Sequence, residues 1–270
     1  MARKKTEKIV FENVEVLDAG AKGVSVAKAA DGKVIFIPNV VPGDVVDVQT
    51  FKKRKAYYEG KAVNFHKLSD KRVEPVCTHF GACGGCKWQN MDYQFQLGYK
   101  HQEVENNLKR IGKIDLPEFE PILGSKEQFF YRNKMEFSFS NARWLTDDEI
   151  KSGEELGKEN ALGFHIPKMW DKILDIQKCH LQQDPSNQIR NEIRAFANEN
   201  GLAFYNPREH TGFLRTLMIR TASTGEIMVL IQFFKEDVKK RELLLNFLKD
   251  RFPEITSLQY VINGKPNDTI

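Results

Sequence analysis

Residues 23–51 read GVSVAKAADGKVIFIPNVVPGDVVDVQTF, three short runs rich in Val, Ile and Phe parted by Ala30-Asp31-Gly32 and by Pro42-Gly43-Asp44. The partial alternation of apolar residues argues for strands, and Gly, Pro and Asp at the breaks supply turn chemistry. Working outward, IVFENVEVL (9–17) precedes these runs and YYEGKAVNF (57–65) follows them with the same texture. Five strands fit this segment and no helix does. Closure removes exposed sheet edges, so the pattern predicts an all-β, five-stranded barrel of the oligonucleotide-binding (OB-like) kind, with an SH3-like barrel as the alternative.

Between the fourth and fifth runs lies KKRKAYY (52–58). Lys52, Lys53, Arg54 and Lys55 at a loop tip can track a phosphate backbone, and Tyr57 and Tyr58 can stack on unpaired bases. A solvated hairpin tip is the plainer alternative. Charge is unevenly spread: residues 1–75 hold 15 Lys and Arg against 10 Asp and Glu, whereas residues 76–270 hold 26 against 27. A basic module beside a neutral body suits a polyanionic partner. At 270 residues, 41% hydrophobic and 29% charged, the composition is that of a globular chain of about two domains. No run approaches the roughly 18 apolar residues of a membrane span, and MARKKTEKIV lacks the apolar core of a secretory signal, so a cytoplasmic location is expected.

Beyond residue 66 the pattern changes. In MDYQFQLGYKHQEVENNLKRIG (91–112), Leu97, Val104, Leu108 and Ile111 recur at helical spacing and Gly112 can end the helix. From residue 120 strands return at KMEFSFS (134–140), LGFHI (162–166), KILDIQ (172–177) and a hairpin over 213–234. Two helices interrupt them, 184–201 with Asp184 as N-cap and Gly201 as stop, and 236–253 ended by Pro253. This predicts an α+β domain with an antiparallel sheet. The acidic stretch 146–160 is expected to be a mobile insertion. His165 and His210 stand isolated, and Trp88 is expected to pack beside the cysteines it follows.

The cysteines raise a separate question. Cys77, Cys83 and Cys86 lie within ten positions in CTHFGACGGC, and Cys179 lies 93 residues further on. In a reducing compartment four cysteines serve as metal ligands more readily than as disulfides. Three clustered thiols and one distant one suit a four-iron, four-sulfur (4Fe-4S) cluster, with Gly81, Gly84 and Gly85 letting the chain wrap closely. Structural zinc and buried thiols without a metal remain alternatives.

The ordered segments KGVSVAK, FIPNVVPGD, RVEPVCTHFGACGGCKWQ, FYRNKMEFSFS, LGFHIPK, DIQKCHL, HTGFLRTLMIR and STGEIMV resemble the RNA uracil-5-methyltransferases, which make 5-methyluridine in ribosomal or transfer RNA. The resemblance implies an N-terminal TRAM barrel, a 4Fe-4S cluster on Cys77, Cys83, Cys86 and Cys179, and RNA contacts from Arg132, Asn133 and Lys134. It also implies that S-adenosylmethionine and the catalytic residues belong to a C-terminal Rossmann-like domain absent from this chain, which would be inactive alone. On that reading the chain divides into a barrel (1–68), a cysteine loop (69–90), a helix packing on the missing domain (91–119), a central α+β domain (120–262) and a link (263–270). A fragment of this kind would self-associate through helix 91–111. A stand-alone RNA-binding metalloprotein is the rival function.

Overall fold

The computed structural model describes residues 9–153 and 159–265. Two compact units emerge, one formed by residues up to Gly81 with Cys86–Lys126, the other by Ala82–Gly85 with Glu127–Ile270.

In the first unit, β1 (Val10–Ala19), β2 (Val24–Lys28), β3 (Val34–Pro38), β4 (Val45–Lys53) and β5 (Tyr57–Lys67) close a barrel in the order β1-β2-β3-β5-β4. All neighbours are antiparallel except β3 and β5, which run parallel. Alternate residues of each strand point inward, so Val14, Val16, Ala27, Ile35, Ile37, Val46, Val48 and Tyr58 form one core. Gly60 packs β5 closely against β4, and a Cβ there would meet Val48 Cγ1 at 2.5 Å.

The Pro42-Gly43-Asp44 turn is held from beneath. Asp44 is fully buried, and its carboxylate accepts from the amides of Val41 (2.7 Å) and Ser69 (2.9 Å) and from Arg72 Nε (2.8 Å) and Nη2 (2.7 Å). Ser69 Oγ donates to the Pro42 carbonyl, and Gly43 sits at φ +100° with Ser69 Oγ only 2.8 Å from where a Cβ would stand. Glycine is required there twice over, by backbone conformation and by space.

Helix α1 (Tyr93–Asn106) starts at Asp92, whose side chain accepts from the Gln94 amide, and runs into a π-helical turn over Asn107–Ile111. It docks on its own unit through Tyr99, which joins Trp88 against Ala19, Val41 and Met91, while Gln96 donates to the carbonyls of Trp88 and Met91. Of the stripe read from the sequence, Leu97 and Leu108 are half-buried, whereas Val104 is 51% and Ile111 78% exposed.

The second unit is a six-stranded sheet, β11-β10-β9-β6-β7-β8, made of β6 (Lys134–Ser140), β7 (Ala161–His165), β8 (Ile173–Asp175), β9 (Leu214–Thr221), β10 (Ile227–Phe233) and β11 (Ile255–Ile262). The expected antiparallel sheet is corrected here. Strand β11, absent from the sequence reading, runs parallel to β10 and is reached through helix α4 (Val238–Arg251), so the sheet is mixed. Helix α3 (Ser186–Glu199) lays Arg190 over the Phe137 ring and stacks Phe196 on Phe247 of α4, which places both helices on the Phe137 side of the sheet. The acidic stretch is in part ordered: helix α2 (Asp147–Ser152) begins with a capping box between Thr146 and Glu149, and Arg143 bridges Glu149 and Glu159. The remainder of that stretch, 154–158, lies outside the described residues. None of the described helices is long and apolar enough to cross a membrane.

Removing one partner of a buried, hydrogen-bonded ion pair leaves the other uncompensated and costs about 3–5 kcal/mol. Asp44→Ala is therefore expected to destabilise the barrel by that amount in urea unfolding, a larger loss than that of Asp31→Ala on an exposed turn.

Candidate nucleic-acid interface and the cysteine positions

The basic run falls at the tip of the β4–β5 hairpin, where the Arg54 amide donates to the Tyr57 carbonyl and closes the turn. Lys53, Arg54 and Lys55 are exposed, three cations on one short loop. Lys52 is placed differently. It pairs with Glu59 across the hairpin and lies 5.9 Å above the Tyr57 ring, so part of its charge is already neutralised. Tyr57 is half-buried, its ring edge-on to Phe36 at 5.4 Å. Tyr58 corrects the expectation of a second stacking residue: it is 3% exposed, packs against Phe11 and donates its hydroxyl to Asp31 at 2.9 Å. Alternation along β5 dictates this, because one tyrosine of an adjacent pair must face the core.

On the second unit, Arg132, Asn133 and Lys134 are all exposed at the start of β6. The Arg132 amide donates to the Leu181 carbonyl, and the Asn133 carbonyl accepts from the Thr221 amide, so this entrance to the strand is fixed at both sides. Lys134 pairs with Glu136 at 2.6 Å. Its cross-strand partner is Arg220, also exposed, so two cations stand side by side on neighbouring strands. Arg215 is a structural cation: it is 6% exposed, lies over the Tyr205 ring and donates to the carbonyls of Asn263 and Lys265.

The cysteines are divided between the units. In the first, Cys77 and Cys86 are half-buried, and the Cys77 amide donates to Gln89 Oε1. In the second, Gly84 fits against Pro167 and the His165 carbonyl, and the Gly85 amide donates to Cys83 Sγ at 3.4 Å. Cys179 is buried, its amide donating to Asn187 Oδ1 and its carbonyl accepting from Asn187 Nδ2. Arg190 is 1% exposed and donates to the carbonyls of Ile176 and Gln177 and to Asn187 Oδ1. Burial pushes its guanidinium down to about 10, against the opposing pull of Cys179 and Asp184. Among the described residues, the buried side-chain nitrogens left without a hydrogen-bond partner are Arg190 Nη1 and Trp88 Nε1. The described residues contain no group of three or more His, Cys, Asp or Glu gathered to hold a metal ion.

Residues 11–71 match the TRAM domain family, so the barrel is a TRAM domain. Over 253 residues the chain is 54% identical to a protein of Bacteroides thetaiotaomicron named an uncharacterized RNA methyltransferase, covering 93% of this chain and 56% of that one. A Porphyromonas gingivalis protein with the same description is 46% identical over 262 residues, 95% of this chain and 56% of its own length. The chain thus spans about half the length of the curated relatives it matches. Among solved structures, the Pyrococcus abyssi tRNA (uracil-54, C5)-methyltransferase in complex with S-adenosyl-L-homocysteine superimposes with a TM-score of 0.61 at 22% identity, over 95% of this chain and 52% of that one. This likeness establishes the shared fold. Similarity to RNA methyltransferases runs through nearly all of the chain, barrel and mixed-sheet unit alike, so the expected fold class, defined by the absence of a Rossmann-like domain, is corrected to the two units that the chain shares with these proteins.

Because Lys52 is already paired, Lys53, Arg54 and Lys55 are expected to provide most of the phosphate contact of the hairpin. Replacing those three by alanine should weaken binding to unrelated RNAs by similar factors and reduce the dependence of log K on log salt by about two to three, whereas Lys52→Ala alone should lower it by less than one. Fluorescence anisotropy at several salt concentrations measures both.

Proposed function

We propose that this protein acts in the S-adenosylmethionine-dependent methylation of uracil at C5 in RNA, with the TRAM barrel and the mixed-sheet unit gripping the RNA. The observation that carries this reading is the continuity of the match to RNA methyltransferases through the barrel and the sheet unit alike. Uracil, as opposed to another base, is supported by the fold shared with an enzyme named for uracil-54 of tRNA. The exposed cations on both units, Lys53, Arg54 and Lys55 on the barrel and Arg132, Lys134 and Arg220 on the sheet, suit a phosphate backbone. With Tyr57 half-buried, the barrel loop contributes charge more than stacking.

Incubating the protein with tritiated S-adenosylmethionine and transcripts of tRNA and ribosomal RNA, then digesting to nucleosides for mass spectrometry, tests the reaction. Label in 5-methyluridine is expected, and the transcript that carries it identifies the target class. Label confined to ribose or to another base sinks the proposal.

The finer part of the proposal is that Cys77, Cys83, Cys86 and Cys179 ligate a 4Fe-4S cluster. It rests on donor chemistry, four thiols with no histidine or carboxylate among them, and not on an assembled ligand group. Two local features suit an anionic group beside these cysteines. A buried, partnerless guanidinium N–H stands in the field of Cys179, and a partnerless indole N–H lies two residues from Cys86. An amide aimed at Cys83 Sγ is a third. When bound, the cluster would supply a covalent tie between distant segments; methyl transfer from an activated donor requires no electron. Iron and sulfide analysis of anaerobically purified protein is expected to give about four of each per chain, with equal loss in Cys179→Ser and Cys83→Ser. Zinc in place of iron, or full iron content in the Cys179 variant, would exclude this ligand set.

A further inference from the structure

The sheet of the second unit has two unlike faces. Register places Met135, Phe137, Leu217 and Ile219 on the side of α3 and α4, and therefore places Lys134, Glu136, Ser138, Thr216 and Arg220 on the opposite side. On the side of Ser138 and Thr216 lies a cavity of about 440 Å³, within the roughly 300–1,000 Å³ of small-ligand clefts. Its floor is polar: Ser138 and Thr216 face each other across β6 and β9, and Ser138 Oγ is 3.1 Å from His165 Nε2. Its walls are aromatic. Tyr205, buried and joined to His210 Nδ1 at 2.9 Å, forms one side, and Trp170 stands at the rim.

Trp170 is 65% exposed, on the loop between β7 and β8. A tryptophan at that exposure adds nothing to the core, and its indole face is available to a planar ligand. The two wall-bearing loops are tied together by an ion pair between Arg208 and Asp171, and Asp171 is also close to Lys172. Among the described residues, no Asp or Glu lines the cavity. Four residues back along β6, about 13 Å away, the same face carries Lys134 opposite Arg220.

We propose that this cavity is a nucleobase-binding subsite, in which an unpaired base of the RNA substrate stacks on Trp170 while its polar edge meets Ser138, Thr216 and His165. Lys134 and Arg220 hold the phosphates of neighbouring nucleotides along the same face. Stacking secures any planar base, and the hydroxyls and imidazole on the floor can each donate or accept, which suits the alternating donors and acceptors of a pyrimidine edge. The inference rests on the reading of this protein as an RNA-acting one.

The test is binding of a fluorescent single-stranded, uridine-containing RNA to the full chain and to Trp170→Ala and Trp170→Phe, each checked for native circular dichroism. Loss of one base–aromatic stack predicts roughly tenfold weaker binding for Trp170→Ala, an intermediate value for Trp170→Phe and an unchanged salt slope, since no phosphate contact is removed. Separately, irradiating the unmodified protein with a 5-iodouridine-substituted RNA should crosslink peptides spanning 166–172 or 204–212. If RNA binds and Trp170→Ala matches the parent, or crosslinks fall on barrel peptides alone, the subsite is wrong and RNA recognition stands. If the parent binds no single-stranded RNA, both readings fall.

Discussion

A single buried carboxylate organises the first unit. Asp44 takes four hydrogen bonds, from two backbone amides and two guanidinium nitrogens, and in doing so joins the β3–β4 turn to the chain leaving β5. A charge with no exposure to solvent is tolerable because every acceptor direction is used. Much else in the unit follows from that arrangement. Ser69 is drawn close enough that only glycine fits at position 43, and Arg72, held over the Phe65 ring, delivers the chain to the segment that carries Cys77. The barrel therefore has a defined exit as well as a closed wall.

The second unit depends on the asymmetry of its sheet. One face is sealed by α3 and α4, with Phe137, Leu217 and Ile219 inaccessible beneath them, and there the stabilising burial is concentrated. That leaves the other face to carry polar side chains, two exposed cations and the aromatic cavity. Backbone constraints keep the cavity walls in place: Gly212, at φ +114°, passes within 2.5 Å of the Phe204 carbonyl if given a Cβ, and Gly163 would meet the Leu174 carbonyl at 2.0 Å. Both glycines permit close approach of neighbouring backbone, so the loops bearing Tyr205 and Trp170 spring from tightly packed strands.

The cations also divide by role once their surroundings are seen. Lys52 and Arg215 are engaged within the protein, the first by Glu59 and the second by backbone carbonyls, whereas Lys53, Arg54, Lys55, Arg132 and Arg220 are exposed. Arg190 is a third kind, a buried cation that donates to neutral oxygens, with Cys179 as a nearby group of opposite tendency. Sequence spacing alone treats all of these as equivalent positive charge. Their surroundings separate exposed cations from those engaged within the protein.

The barrel was legible in the sequence because its determinants are local: alternating Val and Ile, and turns punctuated by Gly, Pro and Asp, each act over a few residues. The strand KMEFSFS was readable to its ends for the same reason, and Asp184, read as the cap of α3, accepts from the Asn187 amide at 3.1 Å. Strand β11 was not, because ITSLQYVI joins the sheet as a parallel edge through a crossover, and that pairing is decided by how α4 packs back on the sheet. The same limit applied to the stripe on α1, where helical spacing identified Leu97, Val104, Leu108 and Ile111 but could not single out Tyr99, which packs against Ala19, Val41 and Met91. The cavity was invisible for a stronger reason. Ser138, His165, Trp170, Tyr205 and Thr216 come from separate strands and loops, and only the register of β6, β7 and β9 brings them to one face. Local chemistry determined which elements form; long-range pairing, which no short window of sequence contains, decided which side chains meet.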